Sequence, residues 1–304
     1  MIYRTYIGLD LQSSVMRAVP MRRRGRSLTL IDGRLIGLAP GVLSPSFRRE
    51  NILDQDAFVS ALREVLDPIS GAEERLSLAL PERAGRILLT QVETALVNKA
   101  EGVEILKWQL RDTLPADGAL QLDYQILDRD ESGRQHVLVS CITEEVLKQY
   151  EDCFNLAGYG AEKIDFRSLC QVNFYRNRLE SDDDFVLILL EEQSLVMQVY
   201  QGRIPVYHRA CEITGDVESV YSELSRVLAG ERSRLGGLRR ETIYLHSSAD
   251  ENEELISVLK SLFERDSIIV LDPELSRFGA EDLSLNKSQM HSLITAVGAA
   301  ERLL

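Results

Sequence analysis

The sequence predicts an α/β chain of two similar halves, with a small α+β insert in the first. Three observations carry this. A run of three β-strands joined by short turns opens the chain between residues 2 and 31 and recurs between 185 and 210, each time followed by a helix and a strand. The stretch 82–160 reads strand, helix, two strands, helix, a small module in itself. The chain has 304 residues, 44% hydrophobic and 27% charged, which suits a folded core and argues against disorder.

The elements follow in order. Ile2–Asp10 reads as a buried strand entering a polar turn at Gln12–Ser14; Val15–Met21 and Ser27–Ile31 complete the first meander around an Arg-rich turn with Gly25. Asp54–Leu66 reads as a helix, because Phe58, Leu62, Val65 and Leu66 fall on one face and Asp54 can cap it. Leu76–Leu80 is a strand stopped by Pro81. In the insert, Ile87–Leu89 is a strand and Val103–Thr113 a helix that ends near Leu114-Pro115. Leu122–Asp128 and His136–Ile142 are strands joined by a polar turn at Asp130–Gly133, and Thr143–Ala157 is a second helix. Gly160–Asp165 is a strand and Phe166–Leu179 a helix. The acidic turn Ser181–Asp184 precedes the second meander, Phe185–Leu190, Leu195–Tyr200 and Ile204–Ala210. A helix at Thr214–Ala229, a strand at Thr242–Leu245, a helix at Leu255–Phe263, a strand at Ser267–Leu271 and a closing helix at Gln289–Leu303 finish the chain. The expected domains are 1–180, with the insert at about 82–160; 181–288; and a closing helix at 289–304 that packs back on the first lobe.

Charge and cysteine usage narrow the function classes. A net charge of −13 makes the whole molecule no evident nucleic-acid binder. The first 49 residues nevertheless hold nine Arg against two acids, Asp10 and Asp32. The run Arg22, Arg23, Arg24 and Arg26 reads either as a solvated turn or as a patch for an anionic membrane or an acidic partner. Cys141, Cys153, Cys170 and Cys211 are irregularly spaced, with no CxxC and only four His in the chain, so they read as reduced core thiols with no metal implied. The N-terminal apolar stretch is broken by Arg4 and Asp10, and the longest apolar run, Phe185–Leu190, is six residues. We therefore expect no signal peptide and no membrane span.

Residues 104–179 carry a resemblance. A helix ending in Leu114-Pro115, a strand with Asp123-Tyr124, an apolar strand Val137–Ile142, a helix ending at Ala157-Gly158 and a strand ending in Asp165 resemble the PilM family of type IV pilus assembly proteins. Ile7–Val19 is similar to that family's opening strand and first phosphate loop, and Leu293–Leu304 to its last helix. The family is related to the division protein FtsA, to MshI and to the cytoplasmic domain of GspL. The resemblance implies an actin-like (ribonuclease H-like) bilobed fold around a nucleotide cleft. It also implies a cytoplasmic protein peripheral to the inner membrane, which binds the N-terminal tail of a PilN-like membrane protein beside other pilus inner-membrane components.

Actin-like folds place phosphates on the turns of the two meanders. Gly8, Asp10, Ser13 and Ser14 fit the first loop, with Asp10 as the acid for Mg2+, although Gln12 stands where the family has a glycine nearby. The second loop, Leu190-Glu191-Glu192-Gln193-Ser194, lacks glycine; Glu191 could replace the usual Asp, while paired carboxylates would repel a polyanion. The adenosine motif should be Gly-Gly after a strand, but His246-Ser247-Ser248 follows Thr242–Leu245, with His246 expected on a surface turn, and Gly236-Gly237 lies in the basic loop 232–240. The subdomain that walls the nucleotide in this family is reduced here to about one helix. Together these departures predict a worn nucleotide site (Gly8, Asp10, Ser13, Ser14, Glu191), no catalytic residue, no metal and no cofactor. The alternatives are an active ATPase using ATP and Mg2+ between Asp10 and Glu191, or a GspL-like type II secretion component. A chain that stops at Leu304 without a membrane span favours a free-standing protein over the latter.

Overall fold

The structure is a computed structural model that describes residues 4–25, 27–114, 119–191, 193–231, 241–247, 253–279 and 285–304. Of the expected features, Arg26, Pro115, Glu192, the basic loop 232–240 with Gly236-Gly237, and Ser248 lie outside the described residues. Two units separate by their internal contacts: Met1–Tyr175 with Glu274–Leu304, and Arg176–Pro273.

In the first unit, strands β1 (Thr5–Leu11), β2 (Val15–Arg24) and β3 (Ser27–Leu30) form the antiparallel meander. A short strand β4 (Arg34–Gly37) also pairs with β2; four residues are too few to carry a period, and the sequence reading missed it. Helix α1 (Gln55–Ser70) starts on Asp54, whose carboxylate accepts from the Ala57 N–H, and runs on past the expected end at Leu66, through Pro68, where buried Ile69 anchors its last turn. Strand β5 (Arg75–Leu80) and β9 (Gly160–Phe166) extend the sheet in parallel beyond β1, giving the order β3-β2-β1-β5-β9.

The sheet has two faces because side chains alternate. Ile7, Leu9 and Leu11 of β1 and Leu76, Leu78 and Leu80 of β5 point into a core with α1 and α3 (Glu144–Ala157). Gly8 and Asp10, Ser77 and Ala79 point the other way, toward α4 (Arg167–Leu179) and the closing helix.

The insert is smaller than expected. Its sheet is β6 (Arg86–Val92), β8 (Gln135–Thr143) and β7 (Leu120–Arg129), all antiparallel, covered by α2 (Lys99–Leu110). Its core holds Val92, Leu106, Leu110, Leu122, Val137 and Val139, together with Phe47 from outside the module. Helix α3, read as part of the insert, instead buries Val146, Tyr150, Cys153 and Phe154 in the main core of the first unit. Its apolar stripe meets α1 and the sheet, a partner that a single helix pattern does not disclose.

Buried Asn51 stitches residues 46–52 to α3. Its side chain donates to the Ser46 and Arg49 carbonyls and accepts from the Tyr150 hydroxyl at 3.1 Å, while the Gln149 side-chain oxygen accepts from the Asn51 and Ile52 N–H groups. Asn51→Ala should cost about 2–3 kcal/mol by taking the side-chain partner from the Ser46 and Arg49 carbonyls and the Tyr150 hydroxyl, which urea unfolding would measure.

The second unit repeats the strand order of the first. Strands β10 (Phe185–Glu191), β11 (Ser194–Gln201) and β12 (Ile204–Glu212) form the meander, and β13 (Thr242–Ser247) and β14 (Ile269–Val270) add in parallel beyond β10. Helices α5 (Val217–Gly230) and α6 (Glu253–Phe263) cover the face that carries Val186, Ile188, Met197, Val199, Ile243 and Leu245. The closing segment, expected as one helix, is α7 (Lys287–Ser292) and α8 (Ile294–Glu301), broken at buried Leu293. All four cysteines are free; Cys141, Cys153 and Cys170 are buried and Cys211 is half-buried. Among the described residues no helix is long and apolar enough to cross a membrane, and no cluster of three potential metal ligands occurs.

Candidate functional site

The carboxyl ends of parallel strands are where open α/β sheets place ligands. At these ends, in the first unit, lies a row of charged side chains. Asp10 of β1 pairs in register with Arg17 of β2 on one side and with Ala79 of β5 on the other; Ala79 in turn pairs with Asp165 of β9. Arg167 follows directly as the first residue of α4.

Asp10 is fully buried and held by two guanidinium groups. Arg167 donates through Nε to Oδ1 at 2.5 Å and through Nη2 to Oδ2 at 3.3 Å; Arg17 donates through Nη1 to Oδ2 at 3.2 Å. The Gln12 amide oxygen, oriented to satisfy both groups, accepts from Nη1 and Nη2 of Arg167 at 2.9 and 2.5 Å. Asp165 accepts from Arg302 at 2.8 Å, and Glu82, just beyond β5, accepts from the Ser168 N–H at 2.7 Å. The row therefore sets three carboxylates beside three guanidinium groups, each acid near at least one arginine, without gathering the carboxylates into one metal-binding group among the described residues.

Burial pushes the Asp165 and Glu82 carboxyls above their usual range; Arg302 and Arg167 respectively pull them back. A raised carboxyl pKa means that the unfolded chain releases its proton first as pH rises. The stability these two groups contribute is thus present below the ordinary carboxylate range and lost as pH rises through their folded values. Glu82→Gln should flatten the fall in unfolding free energy between pH 4 and 7, measured by urea titration at each pH.

The other expected loop residues occupy different settings. An ideal Cβ built on Gly8 would lie 1.9 Å from the Ala296 carbonyl oxygen and 2.6 Å from the Ala300 nitrogen of α8. Gly8 thus gives its space to a packed helix. Ser13 and Ser14 are exposed at the tip of the β1–β2 hairpin, where the Gln12 N–H donates to the Val15 carbonyl at 2.9 Å. Glu191 ends β10 in the second unit, with its carboxylate 3.8 Å from His246 Nε2. His246, expected on a surface turn, is instead buried within β13, because that strand continues its pairing with β10 as far as Ser247.

Both carboxylate oxygens of Asp10 already accept from a guanidinium as these residues are arranged. A cation at Asp10 would have to displace a buried guanidinium from each oxygen it takes, and a buried charge left without its partner costs several kcal/mol. The Arg17 contact was available to sequence reasoning, since a two-residue turn at Ser13-Ser14 sets Asp10 opposite Arg17. Arg167, 157 positions away, was not.

No protein-family model matches the sequence, and a search of curated proteins found no match. Solved structures do match. A chain of the PilM–PilN type IV pilus biogenesis complex has a TM-score of 0.74 at 17% identity, over 98% of this chain and 98% of that one. A Bacteroides thetaiotaomicron protein of actin-like ATPase fold and unknown function has a TM-score of 0.53 at 10% identity, over 96% of this chain and 95% of that one. The cytoplasmic domain of EpsL, an inner-membrane component of the Vibrio cholerae type II secretion system, has a TM-score of 0.51 at 10% identity, over 98% and 95%. The repeated meander-and-crossover sheets and these whole-length likenesses agree: the chain has the actin-like fold, and it is PilM-like in structure from end to end.

Proposed function

We propose that this protein is a PilM-like scaffold of a type IV pilus or related secretion machine, one that no longer hydrolyses ATP. It works at the cytoplasmic face of the inner membrane and binds the N-terminal tail of a PilN-like membrane protein, alongside other components of that machine. The observation that carries the loss of hydrolysis is the capture of Asp10 by Arg17 and Arg167, which spends the one acid of the first loop on internal ion pairs. A catalytic nucleotide site needs that acid free to organise the metal and its waters. The whole-length likeness to the PilM–PilN structure supports the choice of partner.

The fold suits a static role. The arginines supply to Asp10 the positive charge that a metal would otherwise bring, so this end of the sheet is neutralised without a ligand. The test is calorimetric titration with a synthetic peptide of the cytoplasmic N-terminal segment of the PilN-like protein from the same organism. Saturable binding in the absence of nucleotide, unchanged by added Mg-ATP, is the expected result. Binding that appears only with Mg-ATP would contradict the proposal.

A further inference from the structure

The β2–β3 hairpin lies at the end of the sheet opposite Asp10. Thr5 of β1 pairs with Arg22, so the five residue steps along β1 from Thr5 to Asp10 separate the two by about 17 Å at the usual rise per residue. Arg22 and Arg23 are both exposed there. Arg23 donates to the Gly25 carbonyl at 3.2 Å, and among the described residues no carboxylate pairs with either guanidinium. Arg4 precedes β1 on the neighbouring strand, half-exposed, over the Tyr6 ring and 3.6 Å from Glu162. Arg24 and Arg26 continue the run in sequence. An exposed apolar side chain adjoins this charge: Ile31, which follows β3 and whose N–H bonds to the Pro20 carbonyl, is 40% exposed, and Leu28 opposite Arg23 is half-buried.

We propose that this hairpin is a direct docking surface for anionic lipid, separate from any protein tail. A smeared negative surface needs no shape match, and a hairpin end set into its headgroup layer can meet Arg22 and Arg23 on the two faces of the strand, where among the described residues no carboxylate pairs with them, with an apolar residue at its flank. The acidic bulk of the chain does not prevent this. Charges are screened over about 10 Å at 0.1 M salt, so the membrane would sense the hairpin and little of the net −13 beyond it.

Flotation of the full chain with vesicles tests this. Phosphatidylglycerol–phosphatidylcholine vesicles should carry the protein, pure phosphatidylcholine should not, and 0.5 M salt should release it. Arg22→Gln with Arg23→Gln should lower partitioning about thirtyfold, from about one basic residue's worth of attraction lost at each position. Arg48→Gln with Arg49→Gln, an equal charge change at another exposed site, should leave it near wild type. Absence of flotation on anionic vesicles, equal flotation on both vesicle types, or equal loss in the two double variants would overturn the proposal. The vesicles hold no protein, so failure here leaves the tail-binding reading untouched.

Discussion

Asp10→Ala should lower the unfolding free energy by about 3–5 kcal/mol, the range for removing one partner of a buried ion pair. Two guanidinium groups, on buried Arg167 and largely buried Arg17, would then lie without this carboxylate, and the Nε of Arg17 already has no hydrogen-bond partner among the described residues. Replacing the whole group by uncharged residues, as in Asp10→Leu, Arg17→Leu, Arg167→Met and Glu82→Gln together (Glu82 relies on the Arg167 charge), should recover most of that loss, because desolvation of the charges is removed with them. Urea unfolding of both variants measures this. The sign also bears on function. An acid kept free for a metal is commonly held at a cost to stability, so its removal would be neutral or stabilising. A loss below about 1 kcal/mol for Asp10→Ala would mean that Asp10 is not the keystone that its contacts suggest.

Gly8→Ala should cost about 3 kcal/mol, at the upper end for overpacking, and should loosen the closing helix. The added methyl would meet backbone atoms of α8 at Ala296 and Ala300, and backbone cannot step aside as a flexible side chain can. Gly298 makes the reciprocal approach, with its ideal Cβ 2.0 Å from the Cys170 carbonyl oxygen of α4. Hydrogen exchange at α8 amides should rise in Gly8→Ala by more than the global loss of stability alone requires. Gly37→Ala is the control: nothing lies within 4 Å of its Cβ, and the change should fall within about 0.5 kcal/mol of wild type.

These two residues mark how far the sequence could be read. The meanders were legible because alternation and turn residues fix a hairpin locally, and the same local logic sets Asp10 opposite Arg17. The actin-like layout followed from seeing the meander twice. What stayed hidden were contacts between distant segments. Gly8 fits a phosphate loop equally well whether its open space meets a ligand or α8, and only the return of residues 294–301 to β1 decides between them. Arg167 begins a helix after an unremarkable strand, and its target is on the first strand of the chain. The assignment of α3 to the insert failed for the same reason, since an apolar stripe states that a helix is buried and not against what. His246 was misplaced by ending β13 two residues early, at Leu245, where a polar His-Ser pair resembles a turn.

The central claim is that Asp10 is committed to Arg17 and Arg167 and that the protein works without nucleotide. Isothermal titration of the purified chain with Mg-ATP tests it most directly. No detectable heat and no rise in melting temperature are expected at millimolar Mg-ATP, since a ligand that binds the folded state must stabilise it. Micromolar binding, with thermal stabilisation that disappears in Asp10→Asn, would contradict it and return the protein to the nucleotide-dependent switches.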